Sequence, residues 1–190
     1  MATVGVLALQ GSVEPHADAI EALGHVARRV KRPEELAGLD AVVLPGGEST
    51  TMVLLLKSTQ LWEPLREAIS GGLPTLATCA GVILLASTIA DGRDDQEGLG
   101  LLDVAVRRNG FGTQVSSFEV AVPAPSLGDA LHGVFIRAPR IESVGADVEV
   151  LAELDHAGPV LVRQGSVLAA TFHPELTSDT RVHALLLEGA

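Results

Sequence analysis

The chain has 190 residues, 47% hydrophobic and 19% charged, enough for one globular core that buries roughly 70% of the unfolded surface. Its 13 Lys and Arg against 24 Asp and Glu, a net charge of −11, exclude the basic footprint of a sequence-independent nucleic-acid binder. One cysteine, an aromatic fraction of 3% and the absence of Tyr exclude an internal disulfide, a cysteine-rich zinc site and aromatic platforms for single strands.

In chain order, Met1 to Leu9 is apolar but has no basic leader and no cleavage site. Thr3–Leu9 therefore reads as a first strand covered on both faces, not a signal peptide. Val13, Ala17, Ile20 and Leu23 recur at helical spacing, and Gly24 suits the position after the helix. His25–Val30 and Asp40–Leu44 read as the second and third strands, the latter stopped by Pro45-Gly46-Gly47. Helices are expected over Thr51–Lys57 and Leu61–Ser70. Pro74–Ala77 is a short buried strand, and Gly81–Ala86 opens the next helix. The longest apolar run, Leu76 to Ala90, is interrupted by Thr78, Gly81, Ser87 and Thr88. It is too short for a membrane span, so a soluble cytoplasmic protein without a membrane partner is expected. This first half is βαβ repetition, which predicts a parallel sheet with helices on both faces.

The second half changes character. Asp103–Arg107, Ser117–Val122, Val134–Arg137, Glu149–Leu154, Val160–Arg163 and Val167–Phe172 are strand-like runs punctuated by Pro, Gly and Asp. They read as antiparallel strands and hairpins added to the parallel core. Ser178–Leu187 closes the chain as a helix. Asp91–Glu97 is a polar loop, the segment expected to be mobile. No repeat or linker interrupts the sequence, so residues 1–190 are expected to form a single domain.

Three stretches carry chemistry. Thr78-Cys79-Ala80-Gly81 makes the turn between a strand and a helix. A lone cysteine in an apolar stretch is ordinarily a small buried hydrophobe. On a tight strand-to-helix turn, however, a nucleophile stands above the sheet at a helix N-terminus, where thiolate is favoured. The N–H of Ala80 would then face a developing oxyanion. A cysteine nucleophile also needs a base, and the base an orienting group. Phe172-His173-Pro174-Glu175 offers both. Pro174 biases His173 toward extended backbone, and residues two apart in a strand share a face, roughly 6–7 Å apart. Taken alone, the tetrapeptide reads better as a strand-end histidine followed by a turn Pro and an exposed Glu; paired with the turn at Cys79, the functional reading becomes the better one.

Pro45-Gly46-Gly47-Glu48-Ser49-Thr50 follows a buried strand and precedes a helix. Its glycines allow close backbone approach to a ligand, and Ser49 or Thr50 can cap the helix; taken alone it reads at least as well as an ordinary strand-to-helix turn, and as a functional site its Gly47 N–H would be a second oxyanion donor. It lacks the Gly-Lys-Ser/Thr ending of a phosphate-binding loop. His16, His25, His132, His156 and His183 are isolated, without metal-ligand spacing, and read as surface or structural residues. No metal or cofactor is expected. Arg107-Arg108 is a small basic pair.

Six segments now fall into one pattern. Ala8-Leu9-Gln10-Gly11, Pro45 to Thr50, Thr78 to Gly81, Arg108-Asn109-Gly110-Phe111-Gly112, Phe135-Ile136-Arg137-Ala138-Pro139 and Phe172 to Glu175 occur in this order along nearly the whole chain. Together they resemble the glutaminase subunits of pyridoxal 5′-phosphate synthases, members of the class I, triad-type glutamine amidotransferases. The resemblance implies a three-layer, flavodoxin-like α/β fold, with a mostly parallel central sheet, helices on both faces and added antiparallel strands. It implies that Cys79 attacks the side-chain amide of L-glutamine to give a glutamyl thioester, with His173 and Glu175 completing the triad. It assigns Gly47 and Ala80 to the oxyanion hole. Gly47, Glu48, Ser49, Arg108, Ile136 and Arg137 are assigned to the substrate, and Gln10 to support of the loop facing the partner. The implied partner is a separate (β/α)₈ synthase subunit that receives the ammonia and completes the otherwise poorly active glutaminase.

Some positions depart from the family pattern. Thr113-Gln114 and Ser116-Ser117-Phe118 stand where Arg-Gln and Asp-Ser-Phe are usual, and Glu14-Pro15-His16 where Arg-Glu-His is frequent. They leave the triad intact and bear on docking and loop support. Three other readings stay open at this point. They are a glutaminase of another pathway such as imidazole glycerol phosphate synthesis, a cysteine peptidase on a similar sheet, and a regulatory module with a vestigial triad.

Overall fold

The computed structural model describes residues 1–91, 97–108, 110 and 117–188. The interior of the Asp91–Glu97 loop lies outside the described residues, as do Asn109, Phe111, Gly112, Thr113, Gln114 and Ser116.

Four apolar tetra- and pentapeptides build the centre. They are β1 (Thr3–Leu7), β3 (Ala41–Leu44), β4 (Thr75–Thr78) and β12 (Val167–Ala170), all buried on nearly every position. Continuous burial is what strands covered on both faces require. The central sheet runs β10-β11-β12-β4-β3-β1-β2, with β2 at Val26–Val30, β10 at Glu149–Leu154 and β11 at Gly158–Gln164. Its β2, β1, β3, β4 and β12 pairings are parallel, and β10 and β11 add an antiparallel edge.

Side-chain alternation splits the core in two. Val42, Leu44, Ala77 and Ala169 face one side, against α2 (Ser49–Ser58), α3 (Trp62–Ser70) and α4 (Ala80–Leu85). Ala41, Val43, Leu76, Leu168 and Ala170 face the other, against α1 (Val13–Ala22) and α5 (Arg181–Leu187). Each fully buried Leu or Val contributes about 1.5–3 kcal/mol of burial free energy. A three-stranded sheet, β5 (Ala86–Ile89), β6 (Leu102–Arg107) and β9 (Arg140–Val144), extends the first core. A hairpin of β7 (Ser117–Val122) and β8 (Leu131–Ile136) extends the second.

This topology fixes where a ligand can bind. The chain leaves β1 through α1 on one face and leaves β3 through α2 on the other. The two strands are neighbours, so their carboxyl ends flank a topological switch point, the crevice where open α/β sheets bind ligands. Gln10 follows β1, Gly46-Gly47 follows β3, Cys79 follows β4 and His173 follows β12. The turns approach so closely that a Cβ on Gly11, at φ +96°, would overlap the Gly46 carbonyl oxygen.

The second half departs from its sequence reading. Val167–Ala170 pairs antiparallel with β11 but parallel with β4, so it belongs to the parallel core. Ala86–Ile89 and Arg140–Val144 are strands where none was expected, and β5 pairs parallel with β6. The first strand stops at Leu7, and the last helix begins at Arg181. Among the described residues, no helix is long and apolar enough to cross a membrane.

Candidate active site

Cys79 stands between β4 and α4 with φ +47° and ψ −105°, a backbone region that side-chain-bearing residues avoid. Its own N–H donates to the Ala170 carbonyl at 2.9 Å, and its carbonyl accepts from the Val82 N–H at 3.0 Å. These bonds hold the strained turn. It packs against the end of β3 because Gly81 has no Cβ, which would overlap the Leu44 carbonyl oxygen. Cys79 is 6% exposed, and its Sγ lies 3.8 Å from the Ile136 carbonyl oxygen.

His173 reaches the cysteine from β12. The preceding Phe172 is fully buried and packs on Phe135, ring centroids 5.6 Å apart. The His173 N–H donates to the Val134 carbonyl at 2.8 Å, so hairpin and sheet both fix its backbone. A Cβ on Gly46 would overlap the imidazole Cε1; the glycine leaves room for the ring. The Nδ1–H donates to Glu175 Oε1 at 2.7 Å. Burial opposes charge on this imidazole, but hydrogen bonds to Cys79 and Glu175, with their negative charges, outweigh it and push its pKa up to about 10. Burial likewise opposes charge on Glu175, yet the His173 hydrogen bond and neighbouring positive charge hold its carboxyl below the ordinary range.

The way His173 and Glu175 meet differs from the sequence expectation. Pro174–Leu176 is a 3₁₀ turn, not extended backbone. With Pro174 as its first residue, the turn folds the Glu175 carboxylate back under the ring. The pair forms by a local turn, not by a shared strand face.

The residues assigned from the sequence to the substrate, the oxyanion hole and the loop support line one cavity of about 400 Å³ above Cys79 and His173. Gln10, Gly47, Glu48, Ser49, Ala80, Arg108, Ile136 and Arg137 are all on its wall. Glu175 is not; it lies beneath His173 with its side chain fully buried. Sequence reasoning placed the helix cap on Ser49 or Thr50, but Glu48 is the cap of α2. Its carboxylate accepts from the Thr51 N–H at 2.7 Å and the Thr50 N–H at 3.2 Å. The helix starts at Ser49, so Ser49 and Thr50 already lie in the first turn. Burial opposes the Glu48 charge, but the Thr51 and Thr50 donors hold its carboxyl below the usual range. Arg108 Nη2 lies 3.6 Å from Glu48 Oε1 across the cavity.

Gln10 grips the glycine turn. Its Nε2 donates to the Glu48 carbonyl at 3.1 Å, and its Oε1 accepts from the Glu48 N–H at 3.2 Å. The Gly46 carbonyl accepts from the Ser12 N–H at 3.2 Å. In a trans peptide the next N–H points the opposite way, so the Gly47 N–H is turned away from the β1–α1 turn.

Sequence reasoning missed two residues. His16 and His183 are fully buried, neither isolated nor on the surface. His16 meets His183 through one ring nitrogen and approaches Glu175 with the other, behind the cavity. They lie 167 positions apart, and no local signal joins them. Among the described residues, no cluster of His, Cys, Asp and Glu is arranged to hold a metal.

Comparison with known proteins shows the family. The chain is 54% identical over 187 residues to the pyridoxal 5′-phosphate synthase subunit PdxT of Streptomyces avermitilis, covering 97% of this chain and 92% of that protein. It is also 54% identical over 185 residues to the subunit of the same name from Mycobacteroides abscessus, covering 97% and 95%. A crystal structure of a glutamine amidotransferase superposes with a TM-score of 0.92 at 48% identity, over 98% of this chain and 97% of that one. The SNO glutamine amidotransferase family matches residues 6–190, and the chain belongs to that family.

Proposed function

We propose that this chain is the glutaminase subunit of a pyridoxal 5′-phosphate synthase, acting as one amidotransferase domain. The reading rests on one observation above all: the only thiol of the chain is joined through His173 to a buried carboxylate, at the floor of a cavity rimmed by Glu48 and Arg108. Identity of 54% to subunits carrying that name favours it over a glutaminase of imidazole glycerol phosphate synthesis.

In the mechanism, the Cys79 thiolate attacks the side-chain carbonyl carbon of L-glutamine. The tetrahedral oxyanion is received by the N–H groups of Gly47 and Ala80. The Gly46 carbonyl, tied back to Ser12, supports that orientation of Gly47. The His173 imidazolium gives its proton to the amide nitrogen, the C–N bond breaks and ammonia leaves. The glutamyl thioester on Cys79 is then attacked by water, whose proton passes to His173. Glutamate leaves and the thiolate–imidazolium pair is restored. Arg108 takes the substrate carboxylate through a charge-assisted contact. Glu48 meets its ammonium group, and Ser49, Ile136 and Arg137 complete the wall.

Ammonia passes to a separate (β/α)₈ synthase subunit docked over the Gln10 side of the cavity. The unpaired nucleophilic thiol suits a reducing compartment, and the enzyme is assigned to the cytoplasm. The test is ammonia release from free L-glutamine with and without the synthase subunit. Turnover should rise when the synthase is added; a rate indifferent to it contradicts the docking assignment.

A further inference from the structure

Behind the cavity, a file of buried imidazoles continues the Cys79–His173–Glu175 chain. Glu175 offers Oε1 to His173. Its other oxygen, Oε2, accepts no hydrogen bond among the described residues; His16 Nε2 lies 3.4 Å from it. His16 Nε2 is also 3.1 Å from Thr78 Oγ1, on the residue before Cys79. The opposite nitrogen, His16 Nδ1, is 2.9 Å from His183 Nε2. Both histidines are fully buried, and neither enters the reaction described above.

Their protons can be assigned by elimination. Burial pushes the pKa of His16 down to about 3 and that of His183 to about 4, so both rings are neutral at working pH. A neutral imidazole has one donor and one acceptor. If His16 Nε2 were bare, its lone pair would face the Glu175 carboxylate. His183 would then have to accept from His16, leaving its own Nδ1–H as a donor. Yet His183 Nδ1 is buried with no partner among the described residues, and orphaned buried N–H groups are the rarer kind. The reverse assignment removes both conflicts. His16 carries its proton on Nε2, toward Thr78 and Glu175. His183 carries its proton on Nε2 and donates it to His16 Nδ1.

The terminal torsion of a glutamate is soft. One hydrogen bond to Oε1 does not fix the plane of the carboxylate; the positive end of an N–H dipole 3.4 Å from Oε2 favours one orientation of it electrostatically. We propose that His16, held in the required tautomer by His183, is a positioning residue that locks the Glu175 carboxylate so that Oε1 stays on His173. The pair supplies an oriented dipole to a buried anion without adding a charge. It also ties α1 and α5 to the base of the triad. This inference rests on the glutaminase reading above.

The test is steady-state glutaminase kinetics in the complex with the synthase subunit, beside thermal unfolding of each variant. His16→Leu keeps bulk but removes the donor. It is expected to lower kcat by about 10–100-fold, as loss of an outer hydrogen-bond partner does elsewhere, with KM for glutamine within about twofold because substrate contacts are untouched. His16→Gln places an amide N–H near the Nε2 position and should recover most of kcat. A folded His16→Leu with wild-type kcat, or equal losses in both variants, overturns the proposal. Should His16→Leu fail to fold, side-chain ¹⁵N NMR of the wild-type protein decides. The expected signature is a neutral His16 protonated on Nε2 from pH 5 to 9; a Nδ1–H tautomer or an imidazolium overturns it. A wild-type complex releasing no ammonia would count against the glutaminase reading instead, and the tautomer measurement would still decide the role of His16.

Discussion

The carboxylate of Glu175 meets the imidazole of His173 at 2.7 Å although a single proline separates them in the chain. The 3₁₀ turn starting at Pro174 makes this contact local, so it needs no long-range pairing to form. It leaves the carboxylate below the ring, and the ring free to face Cys79.

Glu175→Gln tests that contact. The amide keeps the shape but not the charge, and can present the wrong group to Nδ1. A loss in kcat on the order of 10⁴-fold is expected, as for other triads that lose their carboxylate. The pH profile should move as well. In the wild-type protein the raised His173 pKa keeps the ring charged until pH climbs toward that value. Removing one of the negative charges that raise it must shift the alkaline limb of kcat/KM to lower pH. An unchanged limb would contradict the assignment.

Gln10→Ala removes both hydrogen bonds that grip the Glu48 peptide. The glycine turn then loses its brace, while Cys79 and His173 keep theirs. About a tenfold loss in kcat is expected, with an unchanged rate of iodoacetamide alkylation at Cys79. A slowed alkylation would show that Gln10 acts on the nucleophile and not on the turn.

Arg108→Met tests substrate binding. A hydrogen bond to a charged group is worth about 1.5–3 kcal/mol, so KM for glutamine should rise about 10–100-fold with kcat little changed. A fall in kcat at constant KM would place Arg108 in the chemical step instead.

His16 and His183 predict how stability depends on pH. Their folded pKa values, about 3 and about 4, lie below the ordinary 6.5. Between those limits the unfolded chain binds more protons, so stability rises with pH. Each ring therefore withdraws about 1.4 kcal/mol of stability per pH unit as pH falls from about 6 toward its folded value. Thermal unfolding from pH 7 to 5 should show a steep drop in Tm, less steep in His183→Leu. A flat Tm over that range would mean that these rings charge in the folded state.

Much of this site is legible in the sequence because its signals are local. The Gly46-Gly47 turn after a buried strand, the cysteine between Thr78 and Gly81, and His173-Pro174-Glu175 each announce themselves within a few residues. What escapes is non-local. Val167–Ala170 reads as a strand, but nothing in its sequence tells that it pairs parallel with Thr75–Thr78. Ala86–Ile89 hides as a strand because Ser87 and Thr88 are exposed and a helix directly precedes it. The cap moved from Ser49 or Thr50 to Glu48 because a longer carboxylate can reach the same N–H groups from one residue earlier. His16 and His183 give no local sign at all, since only the packing of α1 against α5 brings them together.

The central claim is that Cys79 is the nucleophile of a glutaminase. It is tested most directly by ammonia release from L-glutamine by Cys79→Ala in complex with the synthase subunit, with thermal unfolding measured on the same preparation. The variant should unfold at close to the wild-type temperature and release no ammonia above background, while the wild-type complex turns over. A folded Cys79→Ala complex that still releases ammonia from glutamine would contradict the account.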